Sequence, residues 1–133
     1  MLHAEVPPLR QPCPPGACDC ERETLRDATG ADARILQLTR KEEIKLIKHI
    51  DSIDTYEGLQ RTINRLQEQL GATLRIRPSP NDAVTARGLD IQFDKQLGLC
   101  KKTREDVPTA IRRCIGRHEE IFLAVLKEHS LFR

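Results

Sequence analysis

The stretch from residue 39 to residue 71 constrains the fold more than any other part of the chain. It opens with a capping box at Thr39 and Glu42, in which the threonine hydroxyl accepts from a free amide of the first helical turn. Asp54 or Thr55 caps a second helix, on which apolar residues recur at three- and four-residue spacing until Gly71 supplies a left-handed C-cap. The stretch therefore predicts two amphipathic helices with a short connection, whose apolar stripes meet. The pair must still pack against a second layer of structure.

Two segments after these helices, residues 73–77 and 89–93, alternate apolar and polar side chains as half-buried strands do. Turn-forming residues follow the first segment at positions 78–82, which favours an antiparallel pair. A short apolar segment at residues 33–38 is interpreted as an edge strand. The sequence therefore predicts a sheet of two or three strands.

Two more helices are predicted in the C-terminal part of the chain. Asp106-Val107-Pro108 is typical of a helix start, and residues 119–127 carry the apolar face of a final helix. The predicted fold class is α+β, a small antiparallel sheet covered by two helical pairs in the order β-α-α-β-β-α-α. Residues 1–32 are expected to form an irregular N-terminal arm, and residues 33–133 a single α+β domain.

Composition indicates an ordinary globular protein rather than a membrane protein. The 133 residues suffice for one core, and because aromatic residues are only 3% of the chain, Leu, Ile and Val must build it. No run approaches the roughly 18–20 apolar residues that span a bilayer. The N-terminus also lacks the basic start and apolar run of a secretion signal. We therefore expect a cytoplasmic protein without a membrane partner, whose five cysteines are free thiols or metal ligands rather than disulfides.

Three of the cysteines, Cys13, Cys18 and Cys20, lie within eight residues of a proline-rich, turn-forming segment. Ligands that are already close in sequence lose little chain entropy when a metal ion binds them, so the cluster is a candidate metal site. Its spacing is neither that of a zinc knuckle nor one of the recurrent iron–sulfur spacings. Zinc and an iron–sulfur cluster therefore both stay open as cofactors, and the alternative is a flexible tail with unligated thiols.

The fourth ligand of such a site is not fixed by the sequence. Cys100 is the main candidate, with Cys114 and a histidine such as His3 as the other options. Cys114 lies on an apolar helical face and is interpreted as a core residue. Acidic neighbours of the cluster, Asp19 among them, are expected to raise the thiol pKa values, which argues against a catalytic thiolate.

A second candidate site is the most basic segment of the chain, residues 100–117. Helix-start amides together with lysine and arginine side chains form sites for phosphate oxygens. No aromatic residues interleave with these cations to stack nucleic-acid bases, so a solvated basic face is the competing interpretation. The candidate phosphate-binding residues are Lys101, Lys102, Arg104, Arg112, Arg113 and Arg117.

Nothing in the sequence indicates catalysis. It contains no P-loop, no dinucleotide-binding glycine pattern, no His-Glu-x-x-His pair and no nucleophile elbow. The hypothesis from sequence is a small non-enzymatic binding or regulatory protein that contacts nucleic acid or another phosphate-bearing ligand through its basic segment. The alternative is a metal- or iron–sulfur-binding accessory protein that uses the cysteine cluster. A protein partner or a homodimer is a further expectation for spare apolar surface on the helices.

One local resemblance bears on nucleic-acid binding. Residues 63–74, with residues 84–88 after them, resemble the recognition helix and wing of LysR-type regulators, which implies DNA binding there. The chain departs from that family where function would lie, because the preceding Ala-Ala helix is absent and residues 89–93 have a strand pattern instead of a linker helix. No family residue is carried over to this chain on that basis.

Overall fold

The computed structural model describes residues 13, 16–27, 30, 32–78, 89–94 and 96–128, and its fold is α+β as predicted. Within these ranges, helices and a two-stranded antiparallel sheet share one core. The predicted residues 84–88 of the wing lie outside the described residues. The elements in chain order are α1 (Arg22–Asp27), a 3-10 helix (Arg34–Gln37), α2 (Arg40–Asp51), α3 (Tyr56–Leu70), β1 (Leu74–Pro78), β2 (Leu89–Phe93), α4 (Lys101–Arg117) and α5 (Glu119–Glu128).

The ends of α2 and α3 are those that the sequence predicted. The Thr39 hydroxyl accepts from the Glu42 amide at 3.2 Å, and the Thr55 hydroxyl accepts from the Gly58 amide at 3.0 Å. Each bond satisfies one of the amides that a helix start leaves without an intrahelical partner. Gly71 ends α3 with a φ of 69°, the left-handed conformation expected of a C-cap glycine.

Replacing Thr55 with alanine is expected to lower the free energy of unfolding by about 1 kcal/mol, because the Gly58 amide loses its acceptor. Thr55→Ser retains a hydroxyl and is expected to stay close to the parent protein. Urea denaturation followed by circular dichroism measures both variants. Equal losses in the two would show that the threonine methyl group, rather than the cap, stabilises the start of α3.

The sheet places its apolar side chains on one face. Leu74 lies opposite Phe93 and Ile76 opposite Ile91 in the antiparallel register. In β2 the alternate residues, including Phe93 and Ile91, are buried, as the period-two pattern predicted. The other face carries charged side chains, among them Arg75, which pairs with Asp94 at 2.8 Å.

The predicted edge strand at residues 33–38 is wrong, because this segment contains a 3-10 helix instead. Ile35 and Leu36 are both buried although they are consecutive. A strand would send consecutive side chains to opposite faces, whereas a 3-10 turn brings both against the core. The described residues therefore form two strands, the lower end of the predicted range.

Helix α4 begins at Lys101, five residues earlier than the predicted start at Asp106. Pro108 consequently lies inside the helix, where its missing amide leaves the Arg104 carbonyl without its usual helical partner. Thr103 is fully buried upstream of the proline, so packing stabilises the additional turns. The basic residues 101–104 are therefore in the first turn of the helix and do not precede it.

Helix α4 is central to the packing, because it contacts α2, β2 and α5. Helix α2 packs on α4, whereas α3 packs on the 3-10 helix, β1 and α5. Ile50 of α2 and Leu59 and Leu66 of α3 nonetheless belong to one core cluster, and residues of both helices line a groove.

Candidate metal centre

Four cysteine sulfur atoms lie together at the junction of the N-terminal arm and α4. Cys13, Cys18, Cys20 and Cys100 place these atoms within 4.8 Å of one another. The Cys13 sulfur is 3.9 Å from that of Cys20 and 3.5 Å from that of Cys100. A tetrahedral ion with zinc–sulfur bonds of about 2.3 Å separates its ligand sulfurs by about 3.8 Å. The separations therefore match those required around a single metal ion.

Contacts along the arm bring its three cysteines to the fourth. The Gly98 amide donates to the Cys20 carbonyl at 2.7 Å, which holds the arm against the segment before α4. Arg104, one turn into α4, donates to the carboxylate of Asp19, the residue between Cys18 and Cys20. Cys100 itself is the N-cap residue of α4. The fold therefore joins cysteines that the sequence separates by 87 residues.

Backbone amides point at the sulfur atoms of the site. The Lys101 amide, the first of α4, donates to the Cys18 sulfur at 3.3 Å. Burial raises the pKa of the Cys18 thiol, but hydrogen bonds from the Lys101 and Cys20 amides outweigh it and lower the pKa to about 7. Burial raises the pKa of Cys20, and a hydrogen bond from the Arg22 amide opposes that rise. The amides thus stabilise negative charge on sulfur, as metal ligation requires.

The expected effect of the acidic neighbours on Cys18 is wrong. Asp19 forms an ion pair with Arg104, so its negative charge is offset beside the cluster. Burial raises the pKa of Cys18, but the hydrogen bonds from the Lys101 and Cys20 amides bring it below that of an ordinary thiol instead of above it. Sequence neighbours alone could not show this, because Arg104 and the Lys101 amide approach from a distant part of the chain.

The site is closed on the protein side and partly open to solvent on the other. Cys20 and Cys100 are buried, whereas Cys13 and Cys18 are half-buried. A surface cavity of about 410 Å³ adjoins Cys18 and is lined by Gly16, Lys101 and Arg104, among others. Four thiolates would fill all four positions of a tetrahedral ion, which is typical of a structural rather than a catalytic metal site.

Cys114 belongs to the core, as the sequence predicted. It is buried in α4, and its sulfur donates to the Ile53 carbonyl at 3.4 Å. Burial raises the pKa of its thiol. The other candidate ligand, His3, lies outside the described residues.

The six candidate phosphate-binding residues are distributed along α4 rather than gathered at one point. Arg113 and Arg117 both pair with Asp51 of α2, at 3.1 Å and 3.7 Å. Arg112 donates to the Leu89 carbonyl at 3.1 Å, and Arg104 binds Asp19 as described above. The remaining two, Lys101 and Lys102, are exposed at the helix start beside the cysteines. These two lysines form no ion pair within the described part of the chain.

Comparison of the chain with protein-family models, with curated protein sequences and with solved structures gives no significant match. No helix among the described residues has the length and apolar character needed to cross a membrane. Function must therefore be argued from the geometry of this chain alone.

Proposed function

We propose that the protein is a zinc-binding accessory protein in which Cys13, Cys18, Cys20 and Cys100 hold one Zn²⁺ ion. The observation that carries the proposal is the approach of four sulfur atoms to within 4.8 Å of one another. Four soft thiolates in tetrahedral arrangement select zinc or iron among the common metals. The ion fastens the arm to the start of α4, which gives it a structural rather than a catalytic role.

The short separations favour a single ion over an iron–sulfur cluster. A cluster inserts several irons and sulfides between its cysteine ligands, which spreads the ligand sulfurs further apart than ligands that share one ion. Two cysteines on one iron of a cluster can lie as close as the Cys13 and Cys100 sulfurs, but here all four sulfurs lie within 4.8 Å of one another, which is too close for ligands of different irons. A single iron ion is the remaining competitor, because it accepts the same tetrahedral geometry.

Charges around the site suit a bound tetrathiolate. One Zn²⁺ with four thiolates carries a net charge of about −2. The positive end of the α4 dipole points at it, because Cys100 is the N-cap of that helix. Lys101 and Lys102 add two exposed cations at the same helix start. The basic residues nearest the site therefore offset the charge of the metal centre.

Metal content of the purified, reduced protein tests the proposal. We expect one zinc per chain by elemental analysis when chelators are omitted throughout. Replacement by Co²⁺ is expected to give the visible bands and sulfur-to-metal charge transfer of a tetrahedral tetrathiolate. If the protein contained iron with inorganic sulfide, the site would hold an iron–sulfur cluster instead of zinc. A reduced protein without any metal would refute the proposal.

Contact with a nucleic acid or another polyanion stays a prediction from the sequence. Exposure of Lys101 and Lys102 supports it, whereas the protein partners of the four arginines leave fewer cations for a ligand. The zinc proposal does not depend on it.

A further inference from the structure

The groove between α2 and α3 has an apolar floor. Its volume is about 620 Å³, within the range of about 300–1,000 Å³ typical of small-molecule sites. Residues of α2 and α3 line it together, although α2 packs on α4 and α3 packs on the 3-10 helix, β1 and α5. Along α2 its lining extends from Glu42 to His49, which is about 10 Å at a helical rise of about 1.5 Å per residue. The apolar lining residues are Leu38, Leu46, Leu66 and Leu70.

One end of the groove is polar. A second cavity of about 270 Å³ continues from it, and the two share His49, Thr62 and Arg65 as lining residues. The second cavity adds Arg61, one turn before Arg65 on the same side of α3. Neither guanidinium has an ion pair or a hydrogen bond with any residue that the structure describes. Two arginines that pair with none of the described residues therefore lie at one end of the groove.

The acidic groups that line the two cavities leave this end cationic. Glu42 lines the apolar cavity, where it pairs with Lys45 at 3.5 Å. Asp54 lines the polar cavity and forms no ion pair with a described residue. Arg61 and Arg65 thus face one carboxylate, and a net positive charge remains.

A fixed hydrogen-bond pair forms the wall where the two cavities meet. The Thr62 hydroxyl donates to the Gly58 carbonyl at 3.0 Å, so its oxygen accepts from His49 Nε2 at 3.1 Å. Neutral His49 then carries its proton on Nε2 and keeps Nδ1 as an acceptor. Thr62 is 4% exposed, so the hydroxyl that positions the His49 ring belongs to a buried residue.

We propose that this groove binds a free single-chain amphipathic anion, such as a medium-chain carboxylate or alkyl phosphate. The hydrocarbon chain lies along the leucine floor, and the anionic head accepts hydrogen bonds from Arg61 and Arg65. Lys45 also lines the groove, but it pairs with Glu42, so the cations without an ion pair among the described residues are Arg61 and Arg65 at one end. That charge distribution matches a ligand with one charged end, whereas an acidic partner helix would require such cations along both rims. The proposal is independent of the zinc site.

Calorimetric titration of the protein, purified without chelators, with dodecanoate and dodecyl phosphate below their micellar concentrations tests the proposal. We expect both anions to bind at one site, dodecanol to bind about tenfold more weakly or worse, and dodecyltrimethylammonium to bind weakest. Chemical-shift changes on dodecanoate addition should map to the groove residues. No binding of the anions, or equal binding of the cationic detergent, would overturn the proposal.

Charge-matched variants locate the head group. The double variant Arg61→Gln with Arg65→Gln is expected to weaken dodecanoate binding by about tenfold per arginine and to leave dodecanol binding unchanged. Arg40→Gln with Lys48→Gln removes the same charge from exposed positions of α2 that do not line the groove, and should bind as the parent does. Equal losses in both double variants would show a general charge effect and overturn the assignment.

Two further experiments test where the hydrocarbon chain of the ligand lies and whether the ligand is free or part of a membrane. Leu70→Gln, checked for folding by circular dichroism, should weaken dodecanoate and dodecanol alike because it makes the floor polar. Sedimentation with phosphatidylglycerol vesicles separates a free ligand from a membrane surface. If the protein pelleted with the vesicles but did not bind dodecanoate, the proposal would be wrong and the groove residues would contact a bilayer instead.

Discussion

Replacing Cys100 with serine is expected to remove zinc from the protein and to release the N-terminal arm from α4. Serine oxygen is a poor zinc ligand, and only three thiolates would remain at the site. Structural zinc contributes about 10–16 kcal/mol of binding free energy in small zinc-dependent peptides. We therefore expect zinc affinity to fall at least a hundredfold, measured as the metal retained after dialysis against a competing chelator. Trypsin should then cleave after Arg22, which is buried in the intact protein.

Cys114→Ser is the matched control, because it changes a buried cysteine of the same helix that lies outside the cluster. This variant is expected to retain one zinc per chain and to lose about 1 kcal/mol or more of stability, because its buried side chain becomes more polar. Loss of zinc from both variants would mean that metal retention reports overall folding. Retention of zinc in both would remove Cys100 from the ligand set.

Replacing Gly98 with alanine is expected to cost several kcal/mol of stability and to loosen the arm. Gly98 has a φ of +85°, which costs an alanine about 1–2 kcal/mol. A Cβ there would lie 2.6 Å from Leu25 Cδ2 and 2.7 Å from Ile35 Cγ2, and such overpacking costs about 1–3 kcal/mol. The movement also strains the bond from the Gly98 amide to Cys20. Thermal denaturation and zinc affinity should both report the change.

Gly30→Ala separates the cost of the positive φ from the cost of the close packing. Gly30 has a φ of +77°, but a Cβ there meets no heavy atom within 4 Å among the described residues. It is therefore expected to show the backbone cost alone, and to leave zinc affinity unchanged. If Gly98→Ala destabilised the protein no more than Gly30→Ala does, close packing of the arm at Leu25 would be disproved.

The sequence predicted those features that adjacent residues determine. The caps at Thr39, Thr55 and Gly71 depend on atoms within a few positions, so short-range rules sufficed. The alternation in β1 and β2 was equally informative, because one face of the sheet is buried. Element types and the α+β class follow from such local patterns.

Errors arose where packing outweighs a local signal. Asp106-Val107-Pro108 resembles a helix start, yet the helix extends back to Lys101 because Thr103 and Val107 are buried together. At residues 33–38 the apolar run suggested a strand, although burial of two consecutive side chains requires a turn. In both cases the deciding contacts come from elements distant in sequence.

The candidate metal site was predictable in part. Three cysteines close in sequence indicated a metal site in the arm, and Cys100 was only one of several candidates for the fourth ligand. Its selection needs the bond between the Gly98 amide and the Cys20 carbonyl, which no sequence spacing reveals. The groove between α2 and α3 was not predicted at all, because its shape depends on how each helix packs against elements distant in sequence.

The distance along the chain between the ligands has a consequence for biosynthesis. Cys13 and Cys100 are 87 residues apart, so an ion that joins them closes a loop containing most of the domain. A covalent cross-link of that span would lower the denatured-chain entropy by the equivalent of about 4–5 kcal/mol. During translation the first three thiols emerge long before the fourth, so an ion held by all four can join the arm to the start of α4 only after residues 40–51 and 74–93 have been synthesised.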